Sequence, residues 1–89
     1  MNQLSSLRKK LDKVDQKIIF QLVKRKGLVA EIAAYKIKNN LPIRDPARER
    51  QLIAEKISFS QGQLDPDLVK RLFQLIIKYS RRQQEKLLK

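Results

Sequence analysis

The chain has 89 residues, and its 21 lysines and arginines against 9 acidic residues give a formal net charge of +12. It contains neither cysteine nor histidine, which excludes disulfides, thiolate metal sites and catalysis by Ser-His or Cys-His pairs. The length predicts one domain over residues 1–89, and the positive surplus favours an anionic ligand or partner. Because no segment has the pattern of a signal peptide or a membrane span, we expect a cytoplasmic protein.

The first predicted helix runs from about Leu4 to Lys38. Its apolar residues recur at alternating steps of three and four, the spacing of one helix face. This apolar stripe consists of Leu4, Leu7, Leu11, Val14, Ile18, Leu22, Val29 and Ile32. The helix is expected to end there because Asn39 or Asn40 can adopt the left-handed cap and Pro42 blocks continuation.

The length of this helix predicts a second copy of the chain. A helix of about 34 residues is a rod of roughly 50 Å. A compact domain of this size has a radius of gyration of only about 12 Å, so two shorter helices cannot cover the rod. We therefore expect a homodimer in which the long helices pack across the symmetry axis.

Two further helices are predicted, each beginning with Asp-Pro, in which Asp caps the helix and Pro occupies its first position. The second begins at Asp45, fades within residues 58–62, and has an apolar face of Leu52, Ile53 and Ile57. The third begins at Asp65 and extends towards Leu87, with a stripe of Val69, Leu72, Phe73, Ile76 and Ile77. The fold class is therefore all-α, with one long and two shorter helices per chain.

Two cations occupy positions on the first helix where an apolar residue is expected. Arg25 and Lys36 continue the line of Leu22, Val29 and Ile32, and they lie about 16 Å apart along the helix. Their long side chains could hold a small anion between them. The alternative, that both extend to water from the edge of the stripe, stays open.

Polar residues also interrupt the inner faces of the other two helices. Glu49 shares the face of Leu52 and Ile53, and a buried carboxylate needs a partner or a ligand donor. The alternatives for Glu49 are a capping contact or an ion pair with Arg25 or Lys36. On the third helix the apolar stripe leads to Ser80 and Gln84, for which the alternative is fraying into solvent. If these groups converge, they form a polar pocket for an anion such as a dicarboxylate.

At these positions the chain resembles the AroQ-class, or small all-helical, chorismate mutases over nearly its full length. The resemblance lies in four segments, LRKKLDKVDQKIIFQLVKR, EIAAYK, RDPARER and LFQLIIKYSRRQQ. It implies an intertwined homodimeric helical bundle with two equivalent active sites and no cofactor or metal. It also implies the [3,3] rearrangement of chorismate to prephenate, the branch step towards phenylalanine and tyrosine.

The resemblance implies substrate-binding roles for Arg8, Arg25, Lys36, Asp45, Arg48, Glu49, Ser80 and Gln84, with Lys36, Gln84, Arg25 and Glu49 also catalytic. The two arginines at 8 and 25 would hold carboxylates, assisted by the serine. Lys36 would contact a carboxylate and the ether oxygen, and Gln84 would donate to that oxygen. Glu49 and the backbone near Asp45 would hold the ring hydroxyl, with Arg48 positioning Glu49.

Arg8 fits this scheme only if it comes from the other subunit. It precedes Arg25 by 17 residues, which is about 25 Å along a straight helix and roughly 100° around it. One small ligand can hardly contact both side chains of the same chain, and the family supplies this arginine from the partner subunit.

The sequence leaves three alternatives open. An isochorismate pyruvate lyase has the same fold and similar cations, although the RDPARER segment favours the mutase. A basic helical module that binds nucleic acid would use Lys9, Lys10, Lys13, Lys17, Lys24 and Lys26, and its affinity would fall steeply with salt. A regulatory or scaffolding dimer with little activity is the third, and the complete set of eight site residues argues against it.

Overall fold

The computed structural model describes residues 2–88, so Met1 and Lys89 of the predicted domain lie outside it. It consists of three helices, α1 (Gln3–Lys38), α2 (Pro46–Phe59) and α3 (Pro66–Leu87). No strand occurs within these residues, and none of the three helices combines the length and apolarity that crossing a membrane requires. The prediction of an all-α chain with one long and two shorter helices is confirmed.

The helix ends lie where the capping residues predicted them. Asp45 accepts a hydrogen bond from the backbone N–H of Arg48 at 3.1 Å, and Asp65 accepts one from Asp67 at 2.9 Å. Each of these caps is followed by proline at the start of the helix. After α1, Asn40 takes the left-handed conformation with φ 55°, so the second of the two candidate asparagines reverses the chain.

The α3 helix is the central element, because it packs against both α1 and α2. The buried apolar side chains come from α1 and α3 and are Val29, Ala33, Val69 and Ile77. Val29 of α1 and Ile77 of α3 lie beside a cleft that the start of α2 also lines, whereas Val69 lies near Phe59 at the end of α2. Seven of the eight polar residues singled out from the sequence line this cleft.

The first half of α1 leaves most of the surface of its apolar stripe uncovered. The first six residues of the stripe are between 40% and 58% exposed, and they are Leu4, Leu7, Leu11, Val14, Ile18 and Leu22. The chain is 57 Å long with a radius of gyration of 16.6 Å, well above the roughly 12 Å of a compact domain of this length. Such a contiguous exposed apolar surface marks an interaction site.

Candidate active site

A cleft of about 470 Å³ lies between the three helices and is lined by seven of the eight predicted site residues. These are Arg25, Lys36, Asp45, Arg48, Glu49, Ser80 and Gln84. Apolar side chains, among them Val29, Ile32, Leu52 and Ile77, form the remaining wall. The residues that interrupt the three apolar stripes therefore line one cleft, which is the condition that the sequence set for a polar pocket.

Lys36 joins three parts of the chain at one nitrogen. Its Nζ donates to the backbone carbonyl of Ile43, in the loop before α2, at 2.9 Å. The same Nζ donates to Oε1 of Gln84 on α3 at 3.3 Å. Because an ammonium group has three donors, one is left for a ligand in the cleft.

Gln84 is the one buried polar side chain among residues 2–88. Its Oε1 accepts from Lys36, so the amide nitrogen is the end that can donate to a ligand. Lys36 and Gln84 therefore present an ammonium and a neutral amide donor side by side. This is a suitable arrangement for an oxygen that gains negative charge.

Arg25 is held against α3 by Ser80. Its Nη1 donates to the Ser80 hydroxyl, which in turn donates to the backbone carbonyl of Ile76 at 2.9 Å. Burial lowers the pKa of the Arg25 guanidinium from its ordinary value, although an arginine stays charged under all ordinary conditions. A charge that has lost part of its hydration gains more from an anionic ligand than an exposed one does.

Glu49 pairs with an arginine that the sequence did not single out. Nη1 of Arg81 donates to the two carboxylate oxygens of Glu49 at 3.3 and 3.4 Å. The sequence had left a pair with Arg25 or Lys36 open, and the resemblance had implied Arg48. Spacing along α3 could have drawn attention to Arg81, because it follows Ser80 and comes three residues before Gln84.

Arg48 turns to the outer side of α2. Its guanidinium lies 3.7 Å from the carboxylate of Glu55, and both side chains are more than half exposed. Arg48 thus lines the edge of the cleft, and its ion pair is with Glu55 rather than with Glu49, which the resemblance implied that it positions. The inward charge on α2 is Glu49, which is half-buried together with Leu52 and Ile53.

Arg8 is the one predicted site residue that does not line the cleft. It is exposed on the uncovered first half of α1. Its position is compatible with a role in the cleft of a second copy, which remains a prediction.

The cleft suits a small dianion that carries a hydroxyl group. Arg25 and Lys36 provide cationic donors, Gln84 provides a neutral donor, and Glu49 provides an acceptor. Such a site can hold a flexible ligand in one conformation and can stabilise negative charge that develops on it. Because the sequence has no histidine or cysteine, these two effects are the chemistry to which this set is best suited.

Comparison with known proteins identifies the family. The family model described as chorismate mutase type II matches residues 7–85. A bifunctional chorismate mutase/prephenate dehydratase of Buchnera aphidicola subsp. Schizaphis graminum is 44% identical over 88 residues, which are 98% of this chain and 23% of that protein. A chorismate mutase of Methanocaldococcus jannaschii is 29% identical over 90 residues, covering 99% of this chain and 90% of that one.

A solved structure agrees with these sequence matches. The chorismate mutase of Thermus thermophilus superposes with a TM-score of 0.84 at 32% identity, covering 89% of this chain and 99% of the other. The chain spans about a quarter of the length of the bifunctional relatives that it matches. The match over residues 7–85 and the likeness in fold show that the chain belongs to the chorismate mutase type II family.

Proposed function

We propose that this chain converts chorismate to prephenate by a [3,3] rearrangement within the cleft. The observation that carries the proposal is the pairing of Lys36 and Gln84, which present an ammonium and an amide donor at one point of the cleft. The family and the named activities of its relatives support the same reaction. Prephenate is the branch compound towards phenylalanine and tyrosine.

The reaction is unimolecular, so the protein needs neither a nucleophile nor a proton donor. Arg25, with Ser80 beside it, binds one substrate carboxylate. Lys36 contacts a carboxylate and the ether oxygen, and Gln84 donates to the same oxygen. Holding the folded conformer removes much of the entropic cost, and the two donors stabilise the charge that the ether oxygen gains as its bond breaks.

The hydroxyl of the substrate ring is bound at the α2 side of the cleft. Glu49 accepts a hydrogen bond from the hydroxyl, and the backbone near Asp45 provides a second contact. Asp45 caps α2, so its backbone is fixed where the hydroxyl is expected. Arg48, another of the predicted site residues, lies at the edge of this region.

The active unit in this proposal is an intertwined homodimer with two shared sites. The uncovered apolar stripe of α1 and the 57 Å length of the chain support it. In such a dimer the first half of one α1 lies near the cleft of the other copy, where Arg8 of the partner subunit binds the second carboxylate. A cytoplasmic location stays a prediction.

A direct assay tests the reaction. The purified chain is mixed with chorismate, and prephenate is measured by its acid conversion to phenylpyruvate. Isochorismate is tested in parallel for release of pyruvate. Prephenate from chorismate is the expected product, whereas pyruvate from isochorismate without prephenate formation would assign the chain to the lyases. Salt-sensitive binding of nucleic acid with neither activity would favour a basic binding module instead.

A further inference from the structure

Glu49 and Arg81 form an ion pair whose two side chains line the cleft. Both side chains are about a quarter exposed, 26% for Glu49 and 28% for Arg81, and they face each other across α2 and α3 inside the cleft. The pair of Arg48 with Glu55 is more than half exposed and, as a surface pair, contributes little to stability. The Glu49–Arg81 pair therefore lies where a ligand in the cleft would contact Glu49.

The contact also fixes the direction of the carboxylate. One guanidinium nitrogen lies within 3.3 and 3.4 Å of the two Glu49 oxygens. A charge-assisted contact of this kind restricts a side chain that is otherwise free to rotate. Without Arg81, the Glu49 carboxylate could turn towards Lys36 or Arg25, which line the same cleft, and compete with the ligand for them.

The charges that line the cleft also indicate that Arg81 keeps Glu49 away from the ligand-binding cations. The cations are Arg25, Lys36, Arg48 and Arg81, and the carboxylates are Asp45 and Glu49. The formal charge of these six side chains is +2 before Arg8 of the partner subunit is added, so the cleft favours an anionic ligand. Arg81 thus offsets Glu49 and leaves Arg25 and Lys36 available to the ligand.

We propose that Arg81 is a positioning residue, which holds Glu49 in the orientation that accepts the hydroxyl of the substrate ring. This inference builds on the proposed chorismate mutase activity and adds to it a residue outside the predicted set. Arg81 acts only through Glu49 and makes no contact with the substrate. Its effect is therefore on substrate binding rather than on the step in which bonds change.

The test compares Arg81→Met with Arg82→Met as a matched control. Arg82 is the next residue, is exposed, and stacks over the ring of Tyr79 at 5.3 Å. We expect Arg81→Met to raise KM roughly tenfold with little change in kcat, because a contact to the hydroxyl is formed in both the bound and the transition state. Arg82→Met should behave as the unchanged chain, and Arg81→Lys should recover part of the loss by restoring the charge.

A second variant separates action through Glu49 from direct contact. In a Glu49→Ala background, adding Arg81→Met should cause no further change in kcat/KM, because its only partner in the site is gone. An equal loss in both backgrounds would overturn the inference and place Arg81 against the substrate. A smaller folded fraction lowers kcat and leaves KM unchanged. That result for Arg81→Met would also overturn the positioning role of Arg81. An unsubstituted chain without chorismate mutase activity would instead reject the proposed function on which the inference builds.

Discussion

Nζ of Lys36 lies 3.3 Å from Oε1 of Gln84, and the two residues are 48 positions apart in the chain. The contact connects the last turn of α1 to the end of α3, while the same nitrogen binds the carbonyl of Ile43 in the loop before α2. The two donors that the proposed reaction needs are therefore oriented by the fold before any ligand arrives. Preorganised donors of this kind need no rearrangement as the reaction proceeds.

Replacement of Lys36 should nearly abolish turnover. Lys36→Ala removes a charged donor from the ether oxygen, and the loss of one such donor reduces kcat by about 100-fold to 1000-fold. Lys38→Ala is the matched control, since Lys38 is exposed at the end of the same helix. The measurement is chorismate consumption, with circular dichroism to show that both variants fold. Normal turnover by Lys36→Ala would remove the proposed role.

Replacement of Gln84 by glutamate should shift activity to acid pH. An ionised carboxylate repels the developing oxyanion, and Lys36 beside it favours the ionised form. We expect kcat/KM of Gln84→Glu to rise as the pH falls from about 8 towards about 5, where a larger fraction of the carboxyl group is protonated. Gln74→Glu is the control, because Gln74 is an exposed glutamine on the same helix. A pH profile like that of the unsubstituted chain would place Gln84 away from the ether oxygen.

A charge on the uncovered stripe of α1 should dissociate the predicted homodimer. Val14 and Val23 are 52% and 62% exposed, and nine residues of separation put them on opposite sides of α1, about 180° apart. Val14→Asp buries a carboxylate in the proposed interface, which is costly, whereas Val23→Asp leaves it in water. Sedimentation should give a dimer for the unsubstituted chain and Val23→Asp, and a monomer or unfolded chain for Val14→Asp. Monomeric behaviour of all three would contradict the homodimer.

The two glycines should respond in opposite directions to alanine. Gly27 lies in the interior of α1, and a Cβ atom there meets no atom within 4 Å. Gly27→Ala should stabilise the chain by about 0.5–1 kcal/mol, because alanine loses less backbone entropy in a helix. Gly62 has φ +75°, so Gly62→Ala should destabilise it by roughly 1–2 kcal/mol. Urea unfolding at equal protein concentration gives both free energies. Destabilisation by Gly27→Ala would mean that other atoms pack against this side of α1.

Helix bounds were predictable because local chemistry determines them. Asp-Pro at positions 45–46 and 65–66 and the asparagines at 39–40 act on their own neighbours, and the structure confirms the helices that they delimit. The convergence of Arg25, Lys36, Glu49 and Gln84 was also predictable, since a polar group on an apolar stripe faces the other helices.

The partner of Glu49 was not predictable in the same way. Which arginine it meets depends on how α2 crosses α3 and on the rotamers of long side chains, and the sequence encodes neither directly. Arg48 is adjacent to Glu49 in the sequence, yet neighbouring residues on a helix do not face each other, and Arg48 pairs with Glu55 instead. Whether Arg8 reaches a cleft depends on how a second copy packs against the first, and the sequence of one chain does not specify that arrangement.

The most direct test of a site shared between two copies is to mix the Arg8→Ala and Arg25→Ala variants and to measure whether activity returns. Each variant alone should lack a substrate-binding arginine in both of its sites. In a mixed dimer, one cleft has its own Arg25 and Arg8 of the partner subunit, so random exchange should restore about a quarter of the activity of the unsubstituted protein. Absence of recovery, after subunit exchange has been verified by mass spectrometry of a labelled variant, would contradict the shared site.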